Sequence, residues 1–187
     1  MSRPSAKEIV AEIFTLFDRY GDESYGEGLS QKEHMIQAAM LAQEENQDPE
    51  VVIAALLHDI GHLQGHQLSS QRMGAFGAAE HESIGANYLR QLGFSQRIGA
   101  LVEGHVLAKR YLCYSNPAYL EALSAASKET LRHQGGPMSA EEAERFRQNP
   151  YFGESIRMRY WDEEAKKTAL SLPSIRDFES LLLQHLT

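Results

Sequence analysis

Leu56-Leu57-His58-Asp59-Ile60-Gly61-His62 sets two imidazoles and a carboxylate at the end of an apolar run, where ionisable groups are costly to bury. Asp48-Pro49 reads as an N-cap followed by proline at the first helical position, and Val51 to Leu57 continue as a helix too apolar for a surface. Gly61 is expected to loosen or end that helix. On it, His58 and His62 lie one turn apart on the same face, with Asp59 beside them. A buried aspartate needs a cation or several hydrogen bonds, and neutral imidazole is a metal ligand. The local pattern therefore reads as a metal site at a helix C-terminus. A lone His-Asp pair is more often just a buried, hydrogen-bonded pair, so the reading depends on residues elsewhere.

A chain of 187 residues with 42% apolar content suits one domain, residues 1–187, built on a substantial core. The net charge of -8 argues against nucleic acid or an anionic membrane as the main partner. Cys113 is the single cysteine and has no intramolecular disulfide partner. With no signal segment or membrane-length apolar run, the expectation is a cytoplasmic protein, with a monomer as the default.

Helical signals recur along the chain. Ser5-Ala6-Lys7-Glu8 has capping-box spacing, and Ile9, Ile13, Phe14 and Phe17 carry a first helix to about Tyr20. Asp22 to Gly28 is a polar, glycine-containing loop, after which Ser30-Gln31-Lys32-Glu33 caps a helix with His34 in its first turn. Gln64 to Ala79 lacks a sustained apolar period and reads as a long loop or short helical fragments. A helix near Glu80-His81 runs to Gly93, and Ser95 opens another in which His105 and Lys109 point the same way. Asn116-Pro117 is expected to start one helix that lasts until Gly135-Gly136-Pro137 and carries Ser127. Ser139 opens a short charged helix ending at Asn149-Pro150. A further helix places Arg159 and Asp162 on one face, and Ser174 begins the last one. With no alternating strand in view, the expected fold class is all-α, a helical bundle.

The histidines fall in successive helical segments: His34, His58 with Asp59, His81, then His105, with Asp162 much later. Singly, each reads as an ordinary polar residue, and His66, His133 and His185 stay so. Together, four imidazoles and two carboxylates exceed what one tetrahedral zinc requires, and no cysteine cage is available. Two metals are the economical account, with Asp59 as the bridge because each of its oxygens can bind one ion. Such ligands suit iron, manganese, cobalt, nickel or zinc alike.

The order His34, His58-Asp59, His81, His105, Asp162 resembles the HD-domain superfamily of helical metalloenzymes, which implies an HD-domain bundle. Gln31, Glu33, His34, Gly26-Glu27, the Leu56 to His62 stretch and Lys109 after His105 resemble, more narrowly, the HD-type mixed-valent diiron oxygenases of organophosphonate breakdown. That resemblance implies two iron ions, active as Fe(II)/Fe(III). His34, His58, Asp59 and Asp162 would hold one iron, and Asp59, His81 and His105 the other. His62 would sit behind the ligands or against substrate, and Lys109, with Ser127 and Arg159, would bind the phosphonate.

The implied partners are a small organophosphonate and dioxygen. A 1-hydroxyalkylphosphonate with a cationic nitrogen at its far end would be oxygenated at C1, breaking the C–P bond to give a carboxylate and phosphate. By the same resemblance, the family member acting on 2-amino-1-hydroxyethylphosphonate aligns a tyrosine where this chain has Ser24, with Tyr25 next to it. The smaller residue makes room for a trimethylated nitrogen, and Tyr25 with Glu27, or Asp22 and Glu23, would supply cation-π and Coulomb attraction. The expected substrate is (1R)-1-hydroxy-2-(trimethylammonio)ethylphosphonate, yielding glycine betaine. The alternatives are 2-amino-1-hydroxyethylphosphonate oxygenation to glycine, a metal-dependent HD phosphohydrolase, and a non-catalytic HD signalling module.

Overall fold

The computed structural model describes residues 4–24, 28–68 and 80–187. Helix α1 (Ala6–Tyr20) starts at the expected capping box, in which Ser5 and Glu8 satisfy each other's backbone amides, and it buries Ile9, Ile13, Phe14 and Phe17. The same device at Ser30 and Glu33 starts α2 (Gln31–Glu44), so His34 enters in the first turn and is fully buried. Asp48 caps α3 (Pro49–Leu57), whose residues Val51 to Leu57 are all buried. This short rod lies at the middle of the bundle, touching α2, α6 (Gln96–Ser115) and α10 (Phe152–Glu164).

Gly61 does not end the central helix. The break comes earlier, at His58-Asp59, and α4 (Ile60–Leu68) restarts at once, with Gly61 inside it. A Cβ at Gly61 would lie 1.8 Å from the carbonyl oxygen of His81, so glycine serves here to let α4 and α5 (His81–Leu92) touch backbone to backbone. The helix also extends through Gln64–Leu68, the start of the segment expected as a long loop or short helical fragments. Residues 69–79, the rest of that segment, lie outside the described residues.

Gly93 ends α5 in the left-handed conformation (φ 98°), and the 20-residue α6 carries His105 and Lys109. The helix expected over Asn116 to Gly135 is two, α7 (Pro117–Ala122) and α8 (Ala125–His133). Leu123 takes an extended backbone and turns into a small apolar cluster with Cys113 and Leu131, while Ser124 caps α8 through the Ser127 amide. Burying Leu123 outweighs helical continuity there. Helices α9 (Ala140–Arg147) and α10 follow, then a 3-10 turn (Ile175–Phe178) and α11 (Glu179–Leu186).

The fold is thus all-α; among the described residues the strand-like pairing is a single bridge between Ser24 and Ser30. No described helix is long and apolar enough to cross a membrane. Arg97 on α6 ties the bundle together, reaching Asp48 (2.7 Å) before α3 and Glu154 (2.6 Å) on α10. These charge-assisted bonds hold α3, which leads into His58, in register with α6 and α10, which carry His105 and Asp162.

Candidate metal centre

Four helices and one helix junction deliver the six residues singled out by their order. His34 comes from the start of α2, His58 and Asp59 from the α3–α4 junction, His81 from the first turn of α5, His105 from mid-α6 and Asp162 from α10. All six are buried. The α3–α4 break explains how Asp59 reaches the centre: at Asp59 the chain changes helix, and the side chain projects between the two halves of the cluster.

Those halves are defined by distance. His34 Nε2 and His58 Nε2 are 3.1 Å apart, with Asp59 Oδ2 at 3.6 and 3.5 Å from them and Asp162 Oδ1 at 3.3 Å from His34. His81 Nε2 and His105 Nε2 are also 3.1 Å apart, with Asp59 Oδ1 at 3.3 and 3.5 Å. One oxygen of Asp59 therefore faces each histidine pair.

The tautomers follow from the other ring nitrogens. His34, His58 and His105 place Nδ1 at 2.9, 2.8 and 2.6 Å from the carbonyls of Ala165, Ala55 and Val102. A carbonyl only accepts, so each Nδ1 carries a proton and each ring, in its neutral form, turns an Nε2 lone pair inward. Lone pairs facing one another beside carboxylate oxygens are the donor set of a cation. Donor atoms bonded at about 2.0–2.2 Å to one metal stand about 3.0–3.5 Å apart when adjacent; here neighbouring donors are 3.1–3.6 Å apart, with His58 and Asp162 at 4.0 Å. The residues fit two metal ions.

The electrostatics agree. Burial alone would raise the Asp59 carboxyl, yet the imidazoles of His58, His81 and His62 hold it well below the usual carboxylate range. Asp162, likewise opposed by burial, is held well down by Arg159 and His34. Burial, and then the neighbouring imidazoles, push His62 well below its ordinary value, and burial pushes His105 down to about 3. These two rings are neutral at pH 7, the form that ligates.

His62 was expected on the same face as His58. With the helix broken, it belongs to the other half, stacked on His81 (centroids 3.9 Å apart, planes at 20°) with Nε2 4.0 Å from Asp59 Oδ1. That half opens into a cleft lined by Lys109, Ser127, Thr130, Gln134, Arg159 and Lys166. Lys109 donates to Thr130 Oγ1 (2.6 Å) and Gln134 Oε1 (2.9 Å), and burial, then the nearby Arg159 charge, lower it to about 7. Arg159 is buried, with Nε donating to Tyr119 Oη at 2.7 Å and its two terminal nitrogens against Asp162 and Glu163.

Lys109, Ser127 and Arg159, which the family resemblance grouped, line one cleft. Thr130, Gln134, Lys166, Glu163 and Tyr119 went unread, although Thr130 and Gln134 follow Ser127 at turn-like spacings and Lys166 lies four residues after Asp162. Tyr25 and Glu27 lie outside the described residues. Of the other loop acids considered, Asp22 pairs with Lys32 (2.7 Å) and Glu23 with His66 (2.9 Å).

Residues 32–145 match the HD domain family. The chain is 39% identical over 97% of its length to the [1-hydroxy-2-(trimethylamino)ethyl]phosphonate dioxygenase (glycine-betaine-forming) of Leisingera caerulea, covering 95% of that protein. It is 36% identical over 92% of its length to the hydroxymethylphosphonate dioxygenase of Gimesia maris, covering 86% of it. An uncharacterized protein of Acanthamoeba polyphaga mimivirus is 37% identical over 95% of the chain and is covered over 82%.

Proposed function

The chain belongs to the HD-domain family and to its phosphonate dioxygenases, and from that membership we propose that it breaks the C–P bond of a 1-hydroxyalkylphosphonate with dioxygen. It is an oxygen-dependent oxidoreductase. The substrate we propose is (1R)-1-hydroxy-2-(trimethylammonio)ethylphosphonate, giving glycine betaine and phosphate. This follows the Leisingera relative and the small Ser24 at the head of the loop. The same reading has the protein work in the cytoplasm as a monomer.

The observation that carries the proposal is the division of Asp59, one oxygen toward His34 and His58 and the other toward His81 and His105. His34, His58, Asp59 and Asp162 would hold one iron, and Asp59, His81 and His105 a second with fewer protein donors, leaving room for exogenous ligands. Bound as an Fe(II)/Fe(III) pair, the irons would supply the redox chemistry with dioxygen.

The protein's own groups bind and orient. Lys109, in its ammonium form, and Arg159 would take phosphonate oxygens, with Ser127 and Lys166 at the rim. That anchoring fixes C1 and its hydroxyl beside the His81–His105 half and removes much of the entropic barrier to reaction. Buried His62, stacked on His81, keeps that ring in place and lines the same cleft, where it would face substrate. Glu27 and Tyr25 are assigned to the substrate cation from their sequence positions.

A test is anaerobic loading with iron, exposure to oxygen, and product analysis with trimethylammonio-, amino- and unsubstituted 1-hydroxyphosphonates. Glycine betaine and phosphate formed in step with oxygen consumption support the proposal. Phosphate released without oxygen from an added phosphate monoester or nucleotide, with none formed from the phosphonates, would instead identify a phosphohydrolase, and a protein that loads metal but turns over none of these compounds would identify a binding module.

A further inference from the structure

We propose that Glu163 is the resident counter-ion of the anion cleft, so that an incoming phosphonate must exchange with it and Glu163 sets which anions the cleft accepts. The inference rests on reading that cleft as the phosphonate site. All three nitrogens of the Arg159 guanidinium are engaged: Nε with Tyr119, Nη1 with Asp162 and Nη2 with Glu163. Asp162 is committed to the histidine cluster through His34 (3.3 Å). The nitrogen able to turn to another anion is therefore Nη2, and Glu163 holds it.

The same carboxylate reaches two more groups of the cleft. Ser127 Oγ donates to Glu163 Oε1 at 3.4 Å, and Lys166 Nζ lies 3.4 Å from Oε2. Arg159, Ser127 and Lys166, from two helices and the chain after α10, thus converge on one acid as they would on a substrate anion. The last two contacts are long, and the Glu163 side chain is 21% exposed, so water can solvate the carboxylate when it leaves. Glu163 sits four residues after Arg159 on α10, so the two share one helix face.

An exchange of this kind discriminates by charge. A doubly charged phosphonate gains more from two cations than the single carboxylate it displaces, whereas a monoanion gains nothing over it. Removing the carboxylate charge should therefore tighten anion binding, a direction that structural damage does not produce.

The experiment is calorimetric titration of inorganic phosphate into the iron-loaded protein without oxygen, comparing wild type, Glu163→Gln, Glu163→Asp and Lys109→Ala. We expect Glu163→Gln to bind phosphate about fivefold more tightly at unchanged iron content, the size of a partly exposed charge-pair effect. Glu163→Asp, which keeps the charge, should stay near wild type, and Lys109→Ala should bind more weakly. Unchanged or weaker binding by Glu163→Gln overturns the counter-ion role and leaves the cleft assignment standing. A wild type that takes no phosphate, or takes it equally well after Lys109→Ala, overturns the cleft assignment and the inference with it.

Discussion

Gly61 lies against the backbone of His81 so closely that a side-chain carbon on it would meet the His81 carbonyl oxygen at 1.8 Å and the Gly85 amide nitrogen at 2.8 Å. This contact presses α5 onto α4 and brings His81 Nε2 to within 3.3 Å of Asp59 Oδ1.

Gly61→Ala should therefore act on the site through the fold. Backbone atoms cannot swing aside as a flexible side chain can, so the helices must separate, at a cost on the order of 3 kcal/mol. Thermal unfolding should shift down by about 6–12 °C for a chain of this size. Iron analysis should show loss chiefly from the half that His81 and His105 form. A variant with wild-type melting and full iron would show that the contact positions nothing.

Lys109→Ala removes a buried ammonium from the cleft while leaving all six metal-directed residues untouched. Loss of a charge-assisted hydrogen bond of about 2–3 kcal/mol should lower kcat/KM roughly 30- to 150-fold, mainly through KM, at unchanged iron content. Steady-state kinetics beside metal analysis separate this outcome from a loss of metal.

The titration of Lys109 carries a sign. With its pKa lowered to about 7, the side chain is an ammonium below that pH and neutral above it. Capture of an anion requires the charged form, so kcat/KM should fall as pH rises through roughly 7 to 8. Lys109→Arg, which keeps its charge across this range, should flatten that limb of the profile. A limb that persists in the arginine variant would assign it to another group.

Chelation should destabilise the fold as well as the activity. Metal present at about 100 times its dissociation constant stabilises the native state by roughly 2.7 kcal/mol, which corresponds to about 5–11 °C in melting temperature. Scanning calorimetry before and after chelator treatment measures this, and re-addition of iron should restore the difference. Equal melting temperatures would mean that the histidine cluster binds no metal in the folded state.

Much of this was open to inspection in the residue order. Capping boxes at Ser5, Ser30 and Ser139 marked helix starts because they satisfy local backbone groups, and local chemistry can be read locally. His105 and Lys109 share a face by helical period alone, and so do Arg159 and Asp162. Gly61 was misread because glycine ends helices and also permits close packing, and the carbonyl that decides between these lies 20 residues away in the chain. The helix break at Leu123 arises from burial against Cys113 and Leu131, again a distant contact. Thr130, Gln134 and Glu163 escaped notice because their roles arise only where α6, α8 and α10 meet.

Above all, the proposed chemistry requires Asp59 to join two metal ions. Iron content and the magnetic spectrum of the loaded protein, measured for wild type and Asp59→Ala, test it most directly. The wild type should hold two coupled irons per chain, and the variant no coupled pair. A single iron, two uncoupled irons, or a coupled pair surviving in Asp59→Ala would contradict it.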